Sequence, residues 1–194
     1  MKFLSTLSAL IFIVVLSVAG LAQDPYQLLR SDPAGYAAVE PGKGLSFPID
    51  HLPHKAFKIE WWYLTANLKD ESGEDYGVHW TLFRQAMSPE PDPGGWQSNQ
   101  VWMAHTALSL PDEFVYEQRF ARGGIGQADV RWDMKGRFSA WLDNWHWQAE
   151  SQEPFPSSLS LTSKDVAIEL HMEANTPWVL QGKNGYSQKS ELGQ

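Results

Sequence analysis

The sequence predicts an all-β fold of antiparallel strands, and three observations carry that prediction. Segments of apolar alternation recur at 57–68, 76–86, 99–110, 113–120, 128–134, 138–149, 157–163 and 165–173, with a shorter one near 177–181. Turn-forming residues separate them: Ser72-Gly73, Pro89 to Gly95, Pro111-Asp112, Gly123-Gly124, Lys135-Gly136, Pro154 to Pro156 and Lys164-Asp165. Beyond residue 22 no stretch keeps the 3.6-residue period of an amphipathic helix long enough to form one. Short strands punctuated in this way belong to sandwiches and small barrels.

In chain order, the first element is not part of the fold. Lys2, the apolar run Leu10 to Leu16 and the small-residue stretch ending in Gly20-x-Ala22 have the layout of a secretory signal peptide. The apolar run is shorter than the ~20 residues a spanning helix needs. We place the signal at 1–22, with cleavage after Ala22, and expect an exported protein without a stable membrane span after cleavage. Residues 23–45 follow as a polar extension containing Pro and Gly.

Composition narrows the function further. The chain has 194 residues and a formal charge of −8, which becomes −9 once Lys2 is removed with the signal. An acidic chain without a Lys/Arg cluster argues against nucleic acid as a partner. There is no cysteine, so the domain must be held by its core rather than by disulfides. Ten tryptophans lie scattered without a fixed period. Aromatic richness of this kind serves a core, a ligand wall or a sugar-binding surface.

The first hairpin can be registered from the sequence. A two- or four-residue loop centred on Ser72-Gly73 pairs positions whose numbers sum to 145. Trp61 then faces Arg84, Tyr63 faces Leu82 and Thr65 faces Trp80. On the opposite surface Glu60 faces Gln85, Trp62 faces Phe83, Leu64 faces Thr81 and Ala66 faces His79. A loop of odd length would shift this pairing and put Glu60 on the face of Arg84 instead. Large aromatics on both faces suit the wall of a small ligand-enclosing barrel.

The runs Phe47-Pro48-x-Asp50-His51, Glu60-Trp61-Trp62-Tyr63, Trp80-Thr81-x-Phe83-Arg84 and Trp102-x-Ala104-His105-x-Ala107 resemble the N-terminal half of the carotenoid 1,2-hydratase (hydroxyneurosporene synthase) and AttH-like family. Phe120-Ala121-Arg122, Leu142-Asp143-Asn144-Trp145 and Leu180-Gln181-Gly182-x-x-Gly185-Tyr186-Ser187 extend the resemblance over roughly residues 46–194. It implies a tandem of two lipocalin-like β-barrels. Residues 46–182 would form the first, and 183–194 would begin a linker to a second that this chain lacks. Many members are exported, and some hydrate or cyclise isoprenoid or polyketide substrates. The implied partners are a hydrophobic small molecule and the second lipocalin-like domain of a full-length form.

Glu60 is the candidate catalytic residue. Adding water to a C=C bond needs an acid able to protonate carbon and surroundings that tolerate a cation. A carboxyl group in an apolar site holds its proton at neutral pH, and aromatic faces stabilise a nearby cation by ~0.5–2 kcal/mol each. The competing reading pairs Glu60 with Arg84 or another base at a barrel rim. Trp61, Trp62, Tyr63, His79, Trp80, Arg84, Trp102, His105 and Trp145 are the ligand-binding candidates. Glu60, Trp62, His79 and His105 are expected together at the wall of an apolar cavity.

Other chemistry finds less footing. His51 and His54 bracket Leu52-Pro53 and could form half a metal site, but no third ligand stands nearby at a typical spacing. We expect no metal and no cofactor. His146 and His171 read as strand residues without a visible partner. No G-x-S-x-G elbow or cysteine is present, and Gly123-Gly124-Ile125-Gly126 opens no helix, so it reads as a turn rather than a phosphate loop. Two main classes remain: a secreted lipocalin-like binding module for an isoprenoid- or polyketide-type molecule, and a hydratase or cyclase to which this half contributes. Carbohydrate binding through exposed tryptophans is a third.

Overall fold

The computed structural model describes residues 33–164 and 166–187. The signal-peptide reading lies outside the described residues, as do the first part of the extension and the end of the linker. Among the described residues no helix is long and apolar enough to cross a membrane.

Among the described residues nine antiparallel strands follow one another as a meander. β1 (Ile59–Lys69), β2 (Asp75–Ala86), β3 (Gln100–Ser109) and β4 (Phe114–Arg122) form a four-stranded sheet in sequence order. β5 (Ala128–Trp132), β6 (Phe138–Leu142), β7 (Trp145–Ala149), β8 (Ser157–Thr162) and β9 (Ala167–Met172) form a five-stranded sheet, also in order. The all-β, antiparallel expectation holds. The described strands divide into two sheets rather than one hydrogen-bonded cylinder.

The first hairpin corrects the expected register. Paired residues sum to 144, so Glu60 lies opposite Arg84, Trp61 opposite Phe83, Trp62 opposite Leu82 and Thr65 opposite His79. The cause is Asp70. Its Oδ1 accepts hydrogen bonds from Ser72 N (2.9 Å), Ser72 Oγ (2.7 Å) and Glu74 N (3.0 Å). Asp70 and Glu74 also remain paired through their backbones, and Gly73 takes φ 89°. That leaves a tip of odd length with glycine in the left-handed position, the usual three-residue hairpin.

Two further corrections concern element boundaries. The segment 138–149 is not one strand but the hairpin β6–β7, folded at Asp143-Asn144 with Leu142 opposite Trp145. Asp143 takes φ 53°, a conformation that Asp and Asn tolerate better than most residues and that a tight turn requires. No strand forms at 177–181; among the described residues beyond β9 only an isolated bridge joins Lys183 to Tyr186.

The core lies between the sheets. From the four-stranded sheet come Val78, Trp80, Leu82, Trp102, Ala104 and Leu108; from the other come Val130, Phe138, Leu142, Trp145, Trp147, Leu159 and Leu161. Trp80 meets Trp147 edge to face at 6.0 Å, Phe138 meets Trp147 at 5.8 Å, and Trp62 stacks on Trp102 at 5.9 Å. These rings fill the space that a ligand-binding barrel would leave open. At the edge where β3, β4, β7, β8 and β9 meet, the free gap is about 10 Å³, room for about one water.

Candidate functional site

The corrected register sorts the candidate residues by parity. In β1 and β2 the even positions point inward, so Glu60, Trp62, Trp80 and Arg84 share the core side with Trp102 of β3. The odd positions Trp61, Tyr63, His79 and Phe83 share the outer side with His105. The expected grouping of Glu60 and Trp62 with His79 and His105 is therefore not formed. The two histidines lie on the opposite surface of the sheet, because one residue of register exchanges faces.

Glu60 sits in a polar junction at the end of the sheet. Arg84 is 1% exposed and donates through Nε to Glu60 Oε2 at 3.0 Å, with Nη2 2.9 Å from the same oxygen. Its remaining donors reach Gln100 Oε1 (2.6 Å) and the carbonyls of His54 (3.2 Å) and Phe57 (2.7 Å). On the other side of the carboxylate, His54 N donates to Oε2 at 2.8 Å, and the His54 ring lies 2.8 Å from Oε1. The second ring nitrogen of His54 is 3.1 Å from Asp50 Oδ1. A carboxylate accepts and does not donate, so only an imidazolium can serve both neighbours at once. Burial by itself would lower the His54 pKa; the hydrogen bonds to Asp50 and Glu60 outweigh it and raise the value. Both Glu60 oxygens are thus engaged by cationic or backbone donors.

The outer side is built differently. A diagonal row of rings crosses all four strands of the first sheet. Trp61 lies 6.5 Å from Phe83, Phe83 5.5 Å from His105, and His105 5.8 Å from Tyr116. Trp61 is 50% exposed, Tyr63 59% and Tyr116 50%, with Phe114 and Phe120 also exposed along β4. Beside the row runs a polar strip in which the His79 ring nitrogens meet Thr65 Oγ1 at 2.9 Å and Thr81 Oγ1 at 2.7 Å. Burial among the rings, with His79 nearby, lowers the His105 pKa, and its Nε2 is enclosed without a hydrogen-bond partner. The outcome is an aromatic shelf with hydrogen-bonding groups at one side.

Sequence reasoning named Trp61, Tyr63, His79 and His105 on this shelf but missed Phe83, Tyr116 and Phe120. The signal was present: Phe114, Tyr116, Gln118 and Phe120 alternate through β4, marking one face. Trp80, Trp102 and Trp145 are core side chains. Trp145 is fully buried, donates its indole N–H to Thr162 O at 3.1 Å, and carries the Arg119 guanidinium 4.0 Å above its ring. Among the described residues no group of three His, Cys, Asp or Glu side chains is placed to hold a metal ion.

Comparison with known proteins agrees with this architecture. A crystal structure from Nitrosomonas europaea, described as an AttH protein, superposes with a TM-score of 0.63 at 31% sequence identity, over 80% of this chain. The match takes in only 46% of that chain, so the present chain spans about half the length of its relative. No curated protein sequence matches. The AttH-like family profile covers residues 38–194, the two sheets and the segment beyond them, and the chain belongs to the AttH-like family.

Proposed function

We propose that this protein binds a flat, hydrophobic small molecule of isoprenoid or polyketide type on the outer face of its first sheet. The observation that carries the reading is the row Trp61–Phe83–His105–Tyr116, with ring centroids 5.5 to 6.5 Å apart and both ends exposed. Rings spaced in this way offer stacking area to an extended unsaturated chain. The space between the sheets is filled, which speaks against an enclosed ligand. His79 with Thr65 and Thr81 supplies a hydroxyl-compatible edge for a polar end group.

An acid role for Glu60 receives no support from its surroundings, since its carboxylate is held by Arg84 and His54. We read Glu60 as an anchor and the protein as a binding module. Export fits the leader-like N-terminal pattern. The match to less than half of the relative's chain is compatible with a second lipocalin-like domain as a partner.

Titration with all-trans-retinol, an isoprenoid alcohol, tests the reading through fluorescence transfer from tryptophan. Trp61→Ala and Tyr116→Ala should each weaken binding about tenfold, by the loss of ~1–1.5 kcal/mol of aromatic contact, with unfolding midpoints unchanged. Binding that survives both substitutions, or that needs a partly unfolded protein, would overturn it.

A further inference from the structure

Residues 46–58 cross from one sheet to the other at one end of the sandwich. The segment holds the 3-10 turn Ile49–His51. On the side of the first sheet, the His51 carbonyl accepts the Trp62 indole N–H at 2.8 Å, and the carbonyls of His54 and Phe57 accept from Arg84. On the side of the second sheet, the His51 ring meets the edge of Phe138, and its Nε2 lies 3.1 Å from Glu153 Oε2. Leu52 packs on the core between these contacts. The segment is a strap, and two histidines three positions apart fasten it.

The two fasteners require opposite protonation states. His54 lies between two acceptors, Asp50 and Glu60, and bridges both only when both ring nitrogens carry protons. Asp50 is itself tied to the strap by Ser46 N at 2.6 Å, with Lys43 nearby, and Glu60 is backed by Arg84. His51 instead lies in an aromatic slot, stacked on Phe47 at 4.4 Å with Trp178 at 4.8 Å. Its charged neighbours are Glu153 at one ring nitrogen and Asp50 farther off. A charge in that slot loses hydration on both ring faces.

We propose that residues 46–58 act as a pH-tuned strap, fastened by charged His54 and neutral His51, so that it closes most tightly near neutral pH and loosens on either side. The signs follow from linkage. His54 is raised when the strap is closed, so its contribution is complete below the free-histidine value and is lost as pH rises through its closed-state value. His51 is lowered, chiefly by burial, so its contribution is complete above the free-histidine value and falls away as pH drops below it. The maximum therefore lies near the free-histidine value, about pH 6.5.

Hydrogen exchange on the full chain between about pH 5 and pH 9, corrected for intrinsic rates, reads the strap through the amides of Asp50, His51 and Leu52, which donate hydrogen bonds within it, and of His54, which donates to Glu60 of β1. Core amides of β2 serve as the reference for global opening. Strap protection relative to that reference should peak near pH 6.5 and fall by up to about tenfold per pH unit on each limb. His54→Asn should flatten the alkaline limb alone, and His51→Phe, which keeps the aromatic slot filled, the acid limb alone. If either variant unfolds, imidazole NMR titration of the unaltered protein decides, with His54 expected above and His51 below the free value. A flat profile, or both histidines on the same side of that value, would overturn the proposal.

Discussion

The Arg84 guanidinium is buried to 1% exposure and shares one oxygen of Glu60 through two nitrogens, Nε at 3.0 Å and Nη2 at 2.9 Å. The pair faces itself directly across β1 and β2. Such a pair adds little over well-packed apolar residues, but breaking it strands a charge in the interior. Glu60→Ala should therefore cost about 3–5 kcal/mol in urea unfolding. Glu60→Gln, which keeps an acceptor, should cost about 1–3 kcal/mol. Unfolding energies within about 0.5 kcal/mol of the parent for both would show that Arg84 finds another partner.

Arg119 closes the open edge between the two sheets. It lies 4.0 Å above the Trp145 ring and donates to Thr162 O at 2.8 Å and to Asn144 and Glu117. One side chain thus joins β4 to the β6–β7 turn and the end of β8. Arg119→Ala should destabilise by about 1–3 kcal/mol, combining a cation–π contact with hydrogen bonds to a charged group. Arg119→Lys should recover only part of this, because an ammonium lacks the planar fork. Full recovery by lysine would reduce the role to simple charge.

Acid should weaken the fold as a whole. Burial lowers His51, His105 and His146, the last with Arg137 adding to the effect. Each binds a proton more readily in the unfolded chain, so its contribution is complete above about pH 6.5 and is lost as pH falls through the folded-state values. His54, raised, opposes this only on the alkaline side. Unfolding free energy should fall steadily from about pH 6.5 toward pH 5 at constant salt. A rise over that interval would contradict the burial of the three rings.

Strand existence was legible because alternation and turn residues mark it locally. Register was not, because it depends on one side chain. Asp70 collects Ser72 and Glu74 into a loop of odd length, and nothing in Ser72-Gly73 alone announces that. The face of every residue in β1 relative to β2 follows from that parity, so Trp61, Tyr63, His79 and His105 were recognised while the grouping of His79 and His105 with Glu60 failed. The β6–β7 turn was hidden because Asp143 adopts positive φ where glycine would have signalled it. The Glu60–Arg84 pair appeared among the readings as the rim alternative. His54 was not paired with Glu60, since the bend at Pro53 that returns it there is a tertiary feature.

The turn Gly123-Gly124-Ile125-Gly126 offers a comparison between two glycines with nearly the same backbone. Gly124 takes φ 80° and Gly126 φ 83°, both left-handed. Alanine at either site meets the strain of that conformation, about 1–2 kcal/mol. At Gly126 nothing else lies within 4 Å of an added Cβ. At Gly124 the Cβ would stand 2.7 Å from Gly95 N and 2.7 Å from Ser98 Cβ. The loop it would strike is held by Asp92, which accepts from Gly94 N at 3.1 Å and Asn99 N at 3.2 Å, and so cannot retreat freely. Gly126→Ala should lose only the conformational cost, about 1–2 kcal/mol. Gly124→Ala should lose that and about 1–3 kcal/mol more for the overpacked contact. The Gly124 variant should also loosen backbone amides at 94–100, read by hydrogen exchange, whereas Gly126→Ala should leave them protected. Equal losses at the two sites would mean that the close approach of Gly124 to Gly95 is not maintained in solution.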